Sequence, residues 1–214
     1  MMKNRNLFWS LAILGVGSFG MMACEPEVMP EVPVELTVKT AVDIPADPEA
    51  SRTDPPNFTF YDLDEGVILT KEDSTGTAWD IALAGTTILT NGGVSGPGQG
   101  SALIVDGIFD SMEEAPTSGF STDNATTLAI PTGSGNGWYT YTAGTEPTNS
   151  ILPIPGKVIV LTTGEGNYAM IEILSYYKGN PDTTTPEFAS FDTRPDGRYY
   201  TFRYVVQPDG TNSF

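Results

Sequence analysis

Histidine is missing from all 214 residues, cysteine occurs once, and no apolar run is long enough for a comfortable membrane span. Each absence removes a class of chemistry. Without histidine, Ser–His and Cys–His nucleophile systems have no base, and a zinc site would need an unusual shell of carboxylates alone. A lone cysteine closes no intramolecular disulfide. Basic residues are scarce as well: 10 Lys and Arg stand against 27 Asp and Glu, for a net charge of −17. Nucleic acid and anionic membrane faces would repel such a chain. No segment sustains a 3.6-residue apolar period, so a helical bundle is excluded too.

What is present begins with a leader. Lys3 and Arg5 precede the apolar run Leu7 to Phe19, which ends in Met21-Met22-Ala23-Cys24. This pattern predicts a secretion signal over residues 1–23. Cys24, directly after a small residue, resembles the lipid-attachment site of a bacterial lipoprotein box, with Met21 where leucine is usual. An ordinary signal peptide with an incidental thiol is the alternative. All acidic residues lie after Cys24 with 8 of the basic ones, so the mature chain carries −19. Residues 24–33 are rich in Glu, Pro and Val without a period and predict a flexible acidic tether. Residues 34–214 then form one domain.

Along that domain, short apolar runs alternate with turn residues. Val34 to Thr40 predicts a first strand, and Pro45 to Asn57 a loop. Phe58, Phe60 and Tyr61 open a second strand, and Val67-Ile68-Leu69 is a third. Trp79, Ile81 and Leu83 alternate with Asp80 and Ala82 as in a half-buried strand, with Trp79 as a core anchor. Thr86 to Thr90 follows, and Asn91-Gly92-Gly93 must turn, because glycine and asparagine take positive φ cheaply. Gly96, Gly98 and Gly100 suggest a phosphate cradle, but such a loop needs a helix after it. Ser101 to Val105 reads as a strand, so a structural crossover is expected.

Asp106 to Asn136 is the least regular stretch. Ser111 to Pro116 is one helical turn or a loop, and Thr126 to Ile130 a plausible strand. Trp138 to Thr142 predicts a strand with Tyr139 and Tyr141 on one face, fit to line a core or a ligand. Lys157 to Thr162 is apolar on both faces and belongs inside a sheet. Gly164 to Asn167 turns into a strand over Tyr168 to Tyr177, with Ala169, Ile171 and Ile173 on one face and Met170 and Glu172 on the other. After a loop from Lys178 to Arg194, Tyr200 to Val206 is the last strand. Ten or more short strands make this an all-β domain, mostly antiparallel, of sandwich or barrel type.

Carboxylates supply the remaining candidate chemistry. A pair such as Asp110 with Glu113 could serve glycoside hydrolysis only at a defined separation; solvated surface charge is the plainer reading. Asp62, Asp64 and Glu65, and separately Asp182, offer oxygen ligands for Ca²⁺ but match no EF-hand loop. No enzyme is expected.

Taken together and in order, Trp79 to Leu83, Thr90 to Gly93, the Gly96 to Ser101 loop, Gly137-Trp138, Tyr168 to Gly179 and Tyr199 to Tyr204 resemble the HmuY family, from about Phe58 to the C-terminus. The resemblance implies an all-β fold likened to a right hand, on lipoproteins at the surface of Bacteroidota. It implies capture of haem or a related porphyrin and its transfer to a TonB-dependent outer-membrane receptor. Glu25, Glu27 and Glu31 after Cys24 likewise resemble signals that send such lipoproteins to the outer face of the outer membrane.

Family members that bind haem hold the iron through two histidines, or methionine, on fingertip loops. Here those loops, Gly119 to Asn136 and Tyr141 to Leu152, hold neither, and Thr142, Ala143 and Gly144 stand where one ligand is expected. Met sulfur or a Tyr phenolate can also bind haem iron. Met112, Tyr139 and Tyr141 are the candidates, with gap-filling and aromatic packing as their ordinary roles. Met170 is a weaker candidate, Met29 lies in the tether and is dismissed, and no other metal is expected. The rival expectation is a non-catalytic interaction or structural lipoprotein on the same scaffold that has lost haem ligation.

Overall fold

A computed structural model describes residues 36–51 and 53–214, all within a compact unit spanning Val34–Phe214. The expected signal peptide, lipidated Cys24, tether and Val34 lie outside the described residues. The strands are β1 Lys39–Pro45, β2 Thr59–Asp62, β3 Val67–Leu69, β4 Ile81–Ala84, β5 Thr87–Thr90, β6 Ser101–Asp106, β7 Tyr139–Tyr141, β8 Ile151–Pro153, β9 Lys157–Thr162, β10 Tyr168–Tyr177 and β11 Gly197–Gln207. Among the described residues, one short helix, α1, covers Pro186–Ala189, and two 3₁₀ turns cover Lys71–Thr75 and Phe109–Ser111. The domain is therefore all-β, as its turn-punctuated sequence implies.

Three antiparallel sheets share the work. The largest runs β1-β11-β10-β9-β6, the second β3-β2-β4-β5, and β7 with β8 makes a two-stranded ribbon. Ile159, Leu161, Ala169, Ile171, Phe202 and Tyr204 on one face of the large sheet share a core with Tyr61, Ile81, Leu83 and Ile88 of the second. Tyr61 meets Phe202 edge-on at 5.4 Å. The opposite face carries a separate cluster, Val158, Val160, Met170 and Val205 with Phe109 and Ala115. Burial on both faces explains why β9 reads as an unbroken apolar run. Leu161→Ala, at a fully buried position, is expected to cost about 3 kcal/mol, read as a lower denaturant midpoint at unchanged slope.

The glycine-rich crossover is built on Asn91, which is fully buried. Its Nδ2 donates to the carbonyls of Gly76 (3.1 Å) and Trp79 (2.7 Å), and its Oδ1 accepts from Gly98 N (3.0 Å). Gly100 N donates to Asn91 O (2.7 Å) and Gln99 N to Gly164 O (3.0 Å). The amides a phosphate would need are thus consumed internally, and the chain enters β6 instead of a helix. Trp79 is buried beneath this loop, not between the sheets: a Cβ on Gly96 would stand 2.5 Å from its Cζ2. It packs edge-on against Phe60 at 5.1 Å.

Several sequence expectations need correction. Among the described residues the first strand covers Lys39–Pro45, and Leu36 to Val38, expected within it, lie outside any strand; a bulge between Ala41 and Ile44, with Asp43 at φ 54°, breaks the alternation that would reveal it. β4 is buried throughout, and Asp80 before it is only 1% exposed. Thr126 to Ile130 forms no strand. There Asp123 accepts from Thr90 N and Ala129 N, and Asn124 Oδ1 from Thr126 N and Thr127 N, taking amides that a ladder would use. Ser111 to Pro116, read as one helical turn or a loop, takes the loop form; a 3₁₀ turn over Phe109–Ser111 ends where it begins. β8, three residues ending in Pro153, gives no period from which to read it.

Candidate functional site

The β7–β8 ribbon pairs Tyr139 with Pro153, Thr140 with Leu152 and Tyr141 with Ile151. Its base is fixed by aromatic packing. Trp138 is buried, donates Nε1–H to Thr86 O (3.3 Å) and lies 4.9 Å from the Tyr139 ring and 5.2 Å from that of Tyr200. Ile151 N donates to the Tyr177 hydroxyl (3.0 Å), tying the ribbon to β10. Beyond this base lies a mostly exposed connection, residues 143–149, which with the ribbon forms a finger.

Its tip, residues 142–150, is knotted about Thr142. Thr142 N donates to Ser150 O (2.9 Å), and the Thr142 hydroxyl donates to Pro147 O while accepting from Ser150 N (2.9 Å). Ala143 and Asn149 both take positive φ, 45° and 52°. Arg194 reaches from the segment before β11 to the carbonyls of Thr148 (3.0 Å) and Asn149 (3.3 Å). The tip is therefore ordered by polar contacts although it is rich in Thr, Gly and Pro.

Tyr139 and Tyr141, two residues apart, share one face of this strand with different surroundings. Tyr139, at the base, is 7% exposed and belongs to the main core; its hydroxyl accepts from Thr86 Oγ1 (3.3 Å). Tyr141, toward the tip, is 44% exposed. Its hydroxyl donates to Asn149 Oδ1, and its amide to Ser134 Oγ (2.8 Å), which brings the 119–136 loop against the finger. Met112 lies elsewhere, packed with Phe109 and Met170 in the cluster on the opposite face of the large sheet. The structure brings the two tyrosines together and leaves Met112 apart from them. Thr142, Ala143 and Gly144 form the turn beside Tyr141.

Clefts flank the finger. One, of about 600 Å³, runs from Asn149 and Ile151 to Arg194, Arg198 and Tyr199. The other, of about 680 Å³, lies between Thr140, Leu152 and Pro155 on one side and Ile173, Leu174 and Asp182 on the other. Both fall within the size range of small-molecule sites.

A model of the HmuY protein family matches residues 54–191. The chain belongs to the HmuY family. Among solved structures, it is similar to an apo HmuY analogue from Tannerella forsythia, at 14% identity and a TM-score of 0.50, over 81% of this chain and 96% of that one. A candidate HmuY-like haem-binding protein from Bacteroides vulgatus aligns at 16% identity and a TM-score of 0.47, over 78% and 90%. A candidate lipoprotein from Bacteroides fragilis aligns at 20% and 0.42, over 69% and 82%. At 14% identity the likeness to the Tannerella forsythia protein concerns the fold alone. No curated protein matches the chain significantly. HmuY-family membership accounts for the ordered motifs from Trp79 onward, which lie in the core and in the Asn91 crossover.

Sequence reasoning grouped Asp62 and Asp64 as candidate cation ligands but missed that Asp80 joins them. Asp62, Asp64 and Asp80 each place a carboxylate oxygen within 4.8 Å of the others. Asp80, read from alternation as solvent-facing, accepts from Gly164 N through Oδ1 and from Leu63 N through Oδ2, both at 2.8 Å. Burial pushes its pKa up to about 7, against the two amide bonds that favour the charged form; Asp64 and Asp62 add to the rise. Both Asp80 oxygens are engaged in locking the β2–β3 and β9–β10 turns. Glu65, grouped with these residues as a Ca²⁺ candidate, is not part of the cluster.

Proposed function

We propose that this chain is a surface-anchored binding lipoprotein of the HmuY family that captures haem or a related porphyrin and passes it to an outer-membrane receptor. Cys24 would carry the lipid and residues 24–33 the tether. The observation that carries the reading is the β7–β8 finger, which presents Tyr141 half in solvent beside the 119–136 loop. In a chain without histidine, a Tyr141 phenolate is the iron ligand this geometry offers most directly. Tyr139 would act below it as packing, and Met112 would take no part in the same site. Family membership supports a binding role and not a catalytic one.

Titrating the mature chain from Glu25 onward with ferric and ferrous haem tests this. A saturable Soret change is expected in the ferric state, shifted in Tyr141→Phe and unaltered in Met112→Ala. The second reading, an interaction or structural lipoprotein that has lost haem ligation, is favoured by the absence of histidine and by the separation of Met112 from the tyrosines. It requires no Soret change in either redox state.

A further inference from the structure

Basic residues are few in this acidic chain, yet Lys178, Arg194 and Arg198 gather where the segment after α1 enters β11. Arg203 and Lys157 are neutralised locally, Arg203 by Glu172 (2.5 Å) and Asp110 (2.8 Å), Lys157 by Asp106 (2.6 Å). Among the described residues, no carboxylate pairs with Arg194 or Arg198. Both instead bind backbone carbonyls, which fix a guanidinium without cancelling its charge. Arg194 donates to Phe188 O (2.8 Å), Ala189 O (3.1 Å), Thr148 O and Asn149 O. Its guanidinium lies 5.0 Å from the Phe188 ring and 4.7 Å from that of Phe191. Arg198 gives Nη1 to Asp47 O (2.7 Å) and Ala50 O (3.2 Å), and its side chain also interacts with the Tyr176 hydroxyl.

The backbone here is also unusual. Arg198 sits at φ 65°, in the left-handed region, at a register break between the Ser175 and Tyr177 pairings of β10 with β11. A bulky residue held there is a local cost that the surrounding contacts must sustain. One of them is the bond from Ala46 N to Arg198 O (2.8 Å). The result turns both arginines into the cleft of about 600 Å³ beside the finger. Its mostly polar walls include the rings of Tyr176, Tyr199 and Phe191, the last 63% exposed.

We propose that this cleft binds the carboxylate of a small organic acid with a planar apolar body. A fixed guanidinium fork suits a carboxylate, and the rings suit an apolar plane stacked beside it. Glu49 and Asp196 also line the cleft and repel a compact dianion such as phosphate more than a single carboxylate. The chemistry fits either a free aromatic acid or the propionate edge of a porphyrin, and only the second source rests on the function proposed above.

The probe is 2-naphthoate, titrated calorimetrically into the full chain, with methyl 2-naphthoate and inorganic phosphate as controls. Saturable naphthoate binding is expected, with the ester and phosphate about tenfold weaker or worse. Phe191→Ala, at an exposed position, should weaken naphthoate about tenfold without moving the Tm. Arg198→Gln should do so more strongly, with Arg198→Lys in between. No saturable binding, equal binding of the ester, or an unaffected Phe191→Ala variant would overturn the site. Displacement of naphthoate by protoporphyrin IX but not by its dimethyl ester assigns the cleft to the porphyrin's propionates. No displacement assigns it to a free aromatic acid. Neither result depends on iron ligation by Tyr141, so the two proposals fail separately.

Discussion

Gly93→Ala is expected to abolish the native fold, with a loss of about 4 kcal/mol or more. Gly93 has φ 61°, and a Cβ there would stand 1.9 Å from the Asp123 carbonyl oxygen. That carbonyl cannot retreat. It accepts from Val94 N (3.0 Å), while the Asp123 carboxylate is bonded to Thr90 N (3.1 Å) and Ala129 N (2.7 Å). Gly135→Ala is the control: Gly135 has φ 79° but nothing within 4 Å of the added atom. It should cost about 1–2 kcal/mol from backbone strain alone. Denaturant unfolding of both variants separates crowding from strain, and equal midpoints would show that the crossover is not the rigid hub described here.

Stability should rise as the pH is lowered from about 8 toward 5, the reverse of an ordinary paired aspartate. The folded-state pKa of Asp80 is raised from 3.8 to about 7. Between those values the native state holds a proton that the unfolded chain has released, so each rise in pH through this window disfavours folding. Over the window the effect is on the order of a few kcal/mol, since one pKa unit corresponds to about 1.4 kcal/mol. Asp64, also raised by burial first and by Asp62 next, acts in the same direction. Asp80→Asn should flatten the slope. It should also lower stability at pH 5, because one amide-facing oxygen becomes a donor. Thermal midpoints at pH 5 and pH 8 for both proteins decide the matter; a wild-type midpoint that climbs with pH contradicts it.

These two residues show which parts of the molecule were legible in its sequence. β3, β10 and the centre of β11 could be located from their runs of β-branched and aromatic residues between turns, although burial does not follow their alternation: β3 is largely exposed, and β10 and β11 are buried on both faces. The Asn91 turn was legible because few residues tolerate its backbone. Asp80 was not: its place in the alternation says outward, and its burial comes from loops that fold over the strand from distant sequence. β1 failed for a related reason, since a bulge places Ala41 and Ile44 on the core side three residues apart.

The candidate site divides the same way. Tyr139 and Tyr141 could be placed on one strand face, but only the ribbon's geometry separates the buried base from the exposed tip. Met112 could not be set on the far side of the large sheet without knowing that β9 and β10 are covered on both faces. Arg194 and Arg198 gave no signal at all, because their proximity depends on a strained turn and on carbonyls from three separate loops.

Resonance Raman spectroscopy of the protein titrated with ferric haem tests the central claim most directly. The account predicts a saturable complex showing an iron–phenolate signature that Tyr141→Phe removes and Met112→Ala leaves in place. No saturable complex, or a spectrum indifferent to Tyr141→Phe, would contradict it.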